Sequence, residues 1–517
     1  MPALTLDQLL PDTAELLLTG GDSRISLEPL LGRNKYSCAP WPEPEIAAFG
    51  SSTASSISVG GFQAAELLRH RIQAELSSSS PSTVYGRELS RIRGELLRLC
   101  ALSDLAGLEI VFSSSGTDAH LMATQLVAGE GGLSPLVIMM EADETGKGVP
   151  AALNGRHFSS RSPLGATFPE GAPLSDGKQP EVAPVSIRGG DGTPRQAGAI
   201  DREVESLAAS AIRRGERVLL ILLDQSKSGL IAPTPECAKG LRDRHPGMVD
   251  ILVDACQFRL APSTLRGYLE LGFMVALTGS KFLTGPAFSG ALFIPGELIP
   301  RLSRCRLPAA LSSYSARAEW PGEWGGVAAL DDVANFGLLL RWEAAMAELR
   351  AFYEVPEGDI RRVLAEFATA VQGRLGDDPH FKLLPTSEME RGSVGDPAGW
   401  DRIPTIFSFM LCRPMARGES VPLSSDETME IYRLLQQDLS GDSVPPSGKS
   451  LSVAGLRCQM GQPVACGMRD GVALSALRLC TSSRLVVEAA QPGGSAVILD
   501  RVGAALDKAA WLITRGT

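Results

Sequence analysis

The sequence predicts an α/β protein: a mostly parallel, doubly wound sheet, followed by a smaller α+β domain at the C-terminal end. Three observations predict it. Short apolar runs alternate with helix-length amphipathic segments from residue 108 to residue 294. Each gap is long enough for a crossover helix, which parallel strands require and hairpins do not. A chain of 517 residues also exceeds what one hydrophobic core usually supports, so a second domain is expected.

The elements follow in order. Residues 1–60 read as a weakly structured arm, in which a Leu-rich start gives way to Pro40, Pro42 and Pro44 and then to the Gly/Ser-rich stretch 50–56. Apolar residues recur every three or four positions over 62–76 and 88–99, predicting two helices within an N-terminal segment, 1–105. The large domain, 106–330, opens with a strand at 108–112 and a helix at 118–127 that begins at Gly116-Thr117. A strand at 136–140 precedes a long Pro/Gly/Ser-rich loop, 159–184, and a short strand at 185–188. Helices at 201–214 and 236–244 flank a strand at 218–224, and strands at 251–254, 273–277 and 290–294 complete the set. A long amphipathic helix at 328–352 bridges to the C-terminal domain, 331–517, where strands at 405–411 and 485–488 mix with helices. Residues 392–399 and 440–450 read as mobile loops, and no internal repeat or heptad run is present.

Composition narrows the function classes. A net charge of −10 argues against nucleic acid or an anionic membrane as the main partner. The start, Met1-Pro2-Ala3-Leu4-Thr5, lacks a basic region followed by an apolar run, so no secretory signal is expected. No apolar stretch reaches the roughly 20 residues that span a bilayer. Nine cysteines without a CxxC pair fit a reducing cytoplasm better than disulfides or structural zinc. The five histidines show no HExxH or HxH spacing, and no metal site is expected.

One constellation carries chemistry. Val253-Asp254-Ala255-Cys256-Gln257 is followed, after 22 residues, by Ser280-Lys281-Phe282-Leu283-Thr284-Gly285-Pro286. An acid thus ends one apolar strand and a lysine lies just past the next. Only 9 of the 49 basic residues are lysines, and of these Lys281 alone lies beside a strong apolar strand and a Gly-Pro turn. Far upstream, Ser115-Gly116-Thr117 opens a helix directly after a strand. Backbone N–H groups and the positive end of a helix suit a phosphate. A ring-nitrogen partner, an aldehyde-trapping amine and a phosphate cradle are what a pyridoxal 5′-phosphate (PLP) site needs. Asp254 would hold the pyridine nitrogen protonated. Lys281 would form the Schiff base (the internal aldimine) and then move the Cα proton, its pKa depressed by burial. Thr278 and Ser280 could add phosphate hydroxyls, and Gln257 could reach the ring hydroxyl. The ordinary alternatives are a capping Asp, a solvated Lys and a Ser/Thr helix cap.

This set resembles the fold-type I PLP-dependent enzymes, specifically the class V aminotransferase-like group that includes cysteine desulfurases and kynureninase. The resemblance covers about 108–295. It rests on Ser-Gly-Thr-Asp-Ala (115–119), Asp-Gln-Ser-Lys-Ser-Gly (224–229), Asp-Ala-Cys-Gln (254–257) and Gly-Ser-Lys (279–281) with Gly-Pro (285–286). It implies cofactor contacts at Thr117, Asp254, Gln257, Ser280 and Lys281, and a ring-hydroxyl contact from Gln225 or Ser226. It also implies a homodimer with its active site at the interface. Two departures stand out. Glu144-Thr145 falls where relatives carry Glu-His, so Thr145 replaces the ring-stacking residue, with His157 an outside candidate. Ser280 stands where many relatives have His.

For the substrate carboxylate the resemblance points to Arg478 in the C-terminal domain, with Arg457 second; an arginine fork suits a carboxylate. Gly461-Gln462-Pro463-Val464 reads as a turn into a strand lining the same cleft. Tyr85-Gly86 and Ser51 to Ser56 are candidate gate residues. Cys412, Cys458 and Cys466 sit at strand ends or a turn and do not look like the exposed loop nucleophile a desulfurase needs.

The expected function is therefore a PLP-dependent transferase or lyase acting on an α-amino acid. Lyase or β/γ-replacement chemistry in specialised biosynthesis is favoured, with an aminotransferase as alternative and a cysteine desulfurase after it. The rival from another class is a non-catalytic PLP-fold binding protein. No GxGxxG or GxxxxGK[ST] follows a strand, against a nucleotide-binding enzyme.

Overall fold

The computed structural model describes residues 10–129, 134–385, 389–415, 419–441 and 450–515. The N-terminal segment contains α1 (Thr13–Leu17), β1 (Ala47–Phe49), α2 (Val59–Glu75) and α3 (Pro81–Leu99). Each helix starts on a side-chain cap: Asp12, Ser58 and Ser80 accept from the backbone N–H of Glu15, Gly61 and Thr83.

The large domain runs β2 (Glu109–Ser113), α4 (Gly116–Ala128), β3 (Leu136–Met140), α5 (Val149–Leu153), β4 (Glu181–Val185), α6 (Ala197–Arg213), β5 (Val218–Asp224) and β6 (Ile231–Ala232). It continues through α7 (Pro235–Arg244), β7 (Val249–Asp254), α8 (Pro262–Glu270), β8 (Met274–Thr278), β9 (Gly290–Ile294) and α9 (Ile299–Leu302). The strand order is β2-β9-β8-β7-β5-β3-β4, with β6 beside β5. The ladders from β8 to β4 are all parallel, and β9 is antiparallel to both of its neighbours. Every residue of β5 is buried. Val218, Leu220 and Leu222 pack on one face and Leu219 and Ile221 on the other. An uninterrupted apolar run is what a parallel strand covered on both faces requires.

A long helix, α10 (Phe336–Glu354), leads to the C-terminal domain: α11 (Glu357–Asp377), β10 (Phe381–Leu383), β11 (Ile406–Pro414), β12 (Ser420–Pro422), α12 (Ser425–Leu435), α13 (Ser450–Gly455), β13 (Cys458–Arg469), β14 (Val472–Cys480), α14 (Ser483–Ala489) and α15 (Gly494–Arg515). Its sheet has the order β1-β13-β14-β11-β10, with β12 on β11. Among the described residues no helix is long and apolar enough to cross a membrane.

Several expectations are corrected. The described part of the arm, residues 10–60, is not weakly structured. Its β1 adds to the C-terminal sheet in parallel with β13, Ala47 opposite Cys458. Arg341 of α10, fully buried, donates to the carbonyls of Leu17, Thr19, Gly20 and Phe288 and so fastens the arm's start. The strand expected at 185–188 lies earlier, at β4, because Pro184 sits on an edge where its missing N–H has no partner to disappoint. The strand expected at 485–488 is helix α14. Ser482 caps it by accepting from Leu485 N, and local capping outweighs the β-branched pair Val486-Val487. Cys458 and Cys466 lie on β13, not beside a turn, and 461–464 is a bulge within that strand. The expected mobile loop at 392–399 is pinned by its neighbour Arg391, which grips Asp224 at the end of β5 at 2.7 and 2.8 Å. The loop expected at 440–450 lies mostly outside the described residues.

Candidate active site

The site forms at the C-terminal ends of the parallel strands, where open α/β sheets bind ligands. Asp254 ends β7 and is buried. Its Oδ1 accepts from Cys256 N at 3.1 Å, and its Oδ2 lies 3.3 Å from His120 Nε2. Burial alone would push this carboxyl up; the His120 charge and the Cys256 donors outweigh it and bring it down to about 2. Asp254 is therefore an ionised carboxylate. His120, Asp254 and Cys256 present donor atoms within 4.8 Å of one another. Burial and the adjacent Asp254 push the Cys256 thiol well up, which keeps it protonated and a poor metal ligand.

Lys281 follows β8, the neighbour of β7, and is partly buried. Burial pushes its amine below the ordinary lysine range. Cys256 and Asp254 oppose that shift, and Arg478 and Arg24 add to it. The acid and the amine thus share one corner of the molecule. The turn that carries Lys281 is fixed by close packing. Gly285 N donates to Gly279 O at 2.9 Å, and a Cβ on Gly285 would stand 2.7 Å from Ala345 Cβ on α10.

Ser115 caps α4, its Oγ accepting from Asp118 N. A Cβ on Gly116 would meet Cys256 Sγ at 2.5 Å, so only glycine lets the α4 turn approach the end of β7 this closely. Thr117 is buried beside Gly148. Thr278 Oγ1 donates to Cys256 O at 2.6 Å, and Ser280 Oγ to Thr278 Oγ1 at 3.3 Å. These residues gather at one end of the corner.

Other expected residues have different employment. Ser226 donates to Glu144 Oε2 at 2.6 Å inside a buried cluster with Arg188 and Ser228. Gln257 donates to Ser52 O at 3.1 Å and accepts from Arg259. Thr145 turns its hydroxyl to Glu141 O at 3.3 Å. His157 bonds Tyr314 and stacks on Phe168, with ring centroids 3.8 Å apart, so its faces are taken. Gln225 is buried, and its Nε2 has no hydrogen bond.

On the substrate side, Arg478 lies on β14, buried, donating to Gln462 O at 2.7 Å and Thr53 Oγ1 at 2.8 Å. Its Nε has no hydrogen-bond partner. The β13 bulge turns the Gln462 carbonyl towards it. Arg457 is not at the site: it pairs with Glu43 and Glu45 and ties the arm to the C-terminal domain. Tyr85 is a core residue, fully buried and donating to Glu319 Oε1 at 2.7 Å. Ser51, Ser52 and Ser55 are buried wall.

The structure adds residues that sequence reasoning missed. Arg24, brought in by the arm and paired with Asp22, approaches Ser115 Oγ at 3.4 Å and lies over the rings of Phe158 and Phe288. Asp118, fully buried, is pushed up to about 7 by burial and by Asp22. Lys227 is lowered to about 8 by burial, Arg478 and Lys281. For Arg24 the available signal was Asp22-Ser23-Arg24, a short capped turn inside a segment without helical periodicity, while Asp118 and Lys227 lie inside the motifs 115–119 and 224–229. His120 carries no motif at all.

No family model and no curated protein sequence matches the chain. Solved structures do. A NifS-like protein from Rickettsia africae is 12% identical, matching over 90% of this chain and 100% of its own, with a TM-score of 0.50. A C-DES variant with glycine covalently linked to its PLP cofactor is 15% identical over 89% of this chain and 96% of its own, with a TM-score of 0.53. These likenesses establish the fold. The chain has the fold-type I architecture, a large mostly parallel sheet with a C-terminal domain sheet.

Proposed function

We propose that this chain is a PLP-dependent enzyme acting on an α-amino acid. The observation that carries the reading is the convergence of Lys281 and an ionised, buried Asp254 beside the glycine turn that opens α4. The residues present fit the group. Asp254 suits a pyridinium, and the side-chain amine of Lys281 makes no hydrogen bond or ion pair among the described residues. The buried Nε2 of Gln225 has no hydrogen-bond partner. Asp118, raised to about 7, is uncharged in mild acid and only partly charged at neutral pH, so its repulsion of a phosphate is reduced.

When bound, PLP supplies an electron-accepting pyridine ring that stabilises negative charge at a substrate α-carbon. Asp254 holds the ring nitrogen protonated. Lys281, its amine neutral at lower pH than an ordinary lysine, takes the proton from Cα and returns it. Ser115, Gly116, Thr117, Thr278 and Ser280 would hold the phosphate, and Gln225 would serve the ring hydroxyl. Arg478 orients the substrate carboxylate.

Within this class we favour a lyase or β/γ-replacement transferase of specialised biosynthesis. Thr145, at the position of the family's stacking residue, supports it, because a hydroxyl bonded to Glu141 cannot stack on a ring. An aminotransferase is the second reading; Cys412, Cys458 and Cys466, buried on strands, weigh against a desulfurase. The proposal includes a homodimer in the cytoplasm; nine free thiols support a reducing compartment.

The test is an absorbance spectrum of purified protein supplied with PLP. A visible band that borohydride removes, with mass added at Lys281, is the expected result, and Lys281→Ala abolishes both. No band in the wild-type chain overturns the proposal. PLP bound without turnover of any amino acid would leave a binding protein.

A further inference from the structure

We propose that His120 is a positioning residue: a doubly protonated imidazolium that ties the Gly116 turn to Asp254 and holds that carboxylate ready for a pyridine nitrogen. The clause about the nitrogen rests on the function proposed above; the pairing does not.

The proton count follows from the two neighbours. His120 Nδ1 lies 2.7 Å from Gly116 O, and a carbonyl only accepts, so Nδ1 carries a proton. Nε2 faces Asp254 Oδ2 at 3.3 Å. Between a facing imidazole and carboxyl the proton rests on the imidazole, the stronger base, so Nε2 carries a proton as well. The ring is 1% exposed, so neither nitrogen faces bulk solvent. Burial pushes the imidazole down; the Asp254 charge and the Gly116 carbonyl outweigh it and raise it. The titratable groups around this corner are Asp254 and Cys256 from the end of β7, Lys281 from the turn after β8 and Asp118 on α4 itself.

The geometry gives the pair a use. Nε2 is close enough to Asp254 for an ion pair but is not aligned as a hydrogen bond. A carboxylate offers about four lone-pair positions, so Asp254 keeps capacity for a further donor. The same ring touches the turn proposed to cradle phosphate. One side chain therefore fixes the distance between the two ends of the site. A buried Asp254 without this cation would take up a proton itself and present no negative charge.

The full-length chain labelled with 15N-histidine tests this without activity. Five histidines make the spectrum simple, and His120→Gln assigns the signal by its loss. Both His120 nitrogens are expected to be protonated at neutral pH, and Asp254→Asn is expected to return the ring to the neutral Nδ1–H form. A neutral His120 in the wild-type chain overturns the proposal. So does a zinc chloride titration that shifts Nε2, which would make the trio a metal site. PLP affinity, read from the visible band, is expected to fall about tenfold or more in His120→Gln with near-UV circular dichroism unchanged. Equal affinity overturns the positioning role. A wild-type chain with the imidazolium signature but no PLP binding would keep the pairing and sink the function proposed above.

Discussion

Asp118 shows how one buried carboxyl records its surroundings. It sits in the first turn of α4, where an ionised acid would favour the helix, yet burial holds it up to about 7. Its folded value lies above the unfolded 3.8, so the stability it contributes is present below that pH and is lost as pH rises through about 7. Asp118→Asn mimics the neutral acid. Thermal unfolding should show no gain at pH 4 and a rise of about 1–3 °C at pH 8. Asp254 has the opposite sign. Its folded value of about 2 lies below the unfolded 3.8, so its contribution is present above pH 3.8 and disappears as pH falls through 2. Acid unfolding of Asp254→Asn followed by circular dichroism should lack that last component. Asp254 and Lys281 were legible in sequence because strand ends and glycine turns have local signatures. His120, Arg24 and Lys227 were not, since their roles depend on neighbours distant along the chain.

At the scale of elements, the end of β5 is held by the segment after β10. Arg391 and Asp224 are both fully buried and joined by two hydrogen bonds, and Tyr268 adds a third to Asp224. Removing one partner leaves an uncompensated charge. Arg391→Met should cost about 3–5 kcal/mol in urea unfolding, and adding Asp224→Asn should recover part of it. Most elements were readable because β5 and β8 are apolar runs bounded by turn residues, and β7 carries one from Ile251 to Val253. The failures have distinct causes: β4 contains a proline on a free edge, and α14 pairs β-branched residues with a strong serine cap. In both, a neighbour decided the outcome.

For the whole molecule, the arm is the feature that sequence reading undervalued. A segment without periodicity becomes ordered by borrowing: β1 pairs with β13, Gln257 and Arg478 take the carbonyl of Ser52, and Arg341 takes three arm carbonyls. Arg341→Ala should strip those acceptors of their donors at roughly 2 kcal/mol or more. Hydrogen exchange read by mass spectrometry should then quicken over residues 17–25. PLP binding should weaken with it, because Arg24 reaches Ser115 from that stretch. Unchanged exchange there would show that Arg341 does not fasten the arm.

By itself the sequence determined the alternation of strand and helix, the parallel sheet and the pairing of an acid with a lysine at neighbouring strand ends. Those features follow from periodicity and turn chemistry, which act over a few residues. Only the tertiary structure decided that Arg24 approaches Ser115, that Tyr85 packs in the core and Arg457 pairs with Glu43 and Glu45, and that His120 stands against Asp254. Side-chain contacts across long separations depend on packing, and packing leaves no periodic trace in the chain.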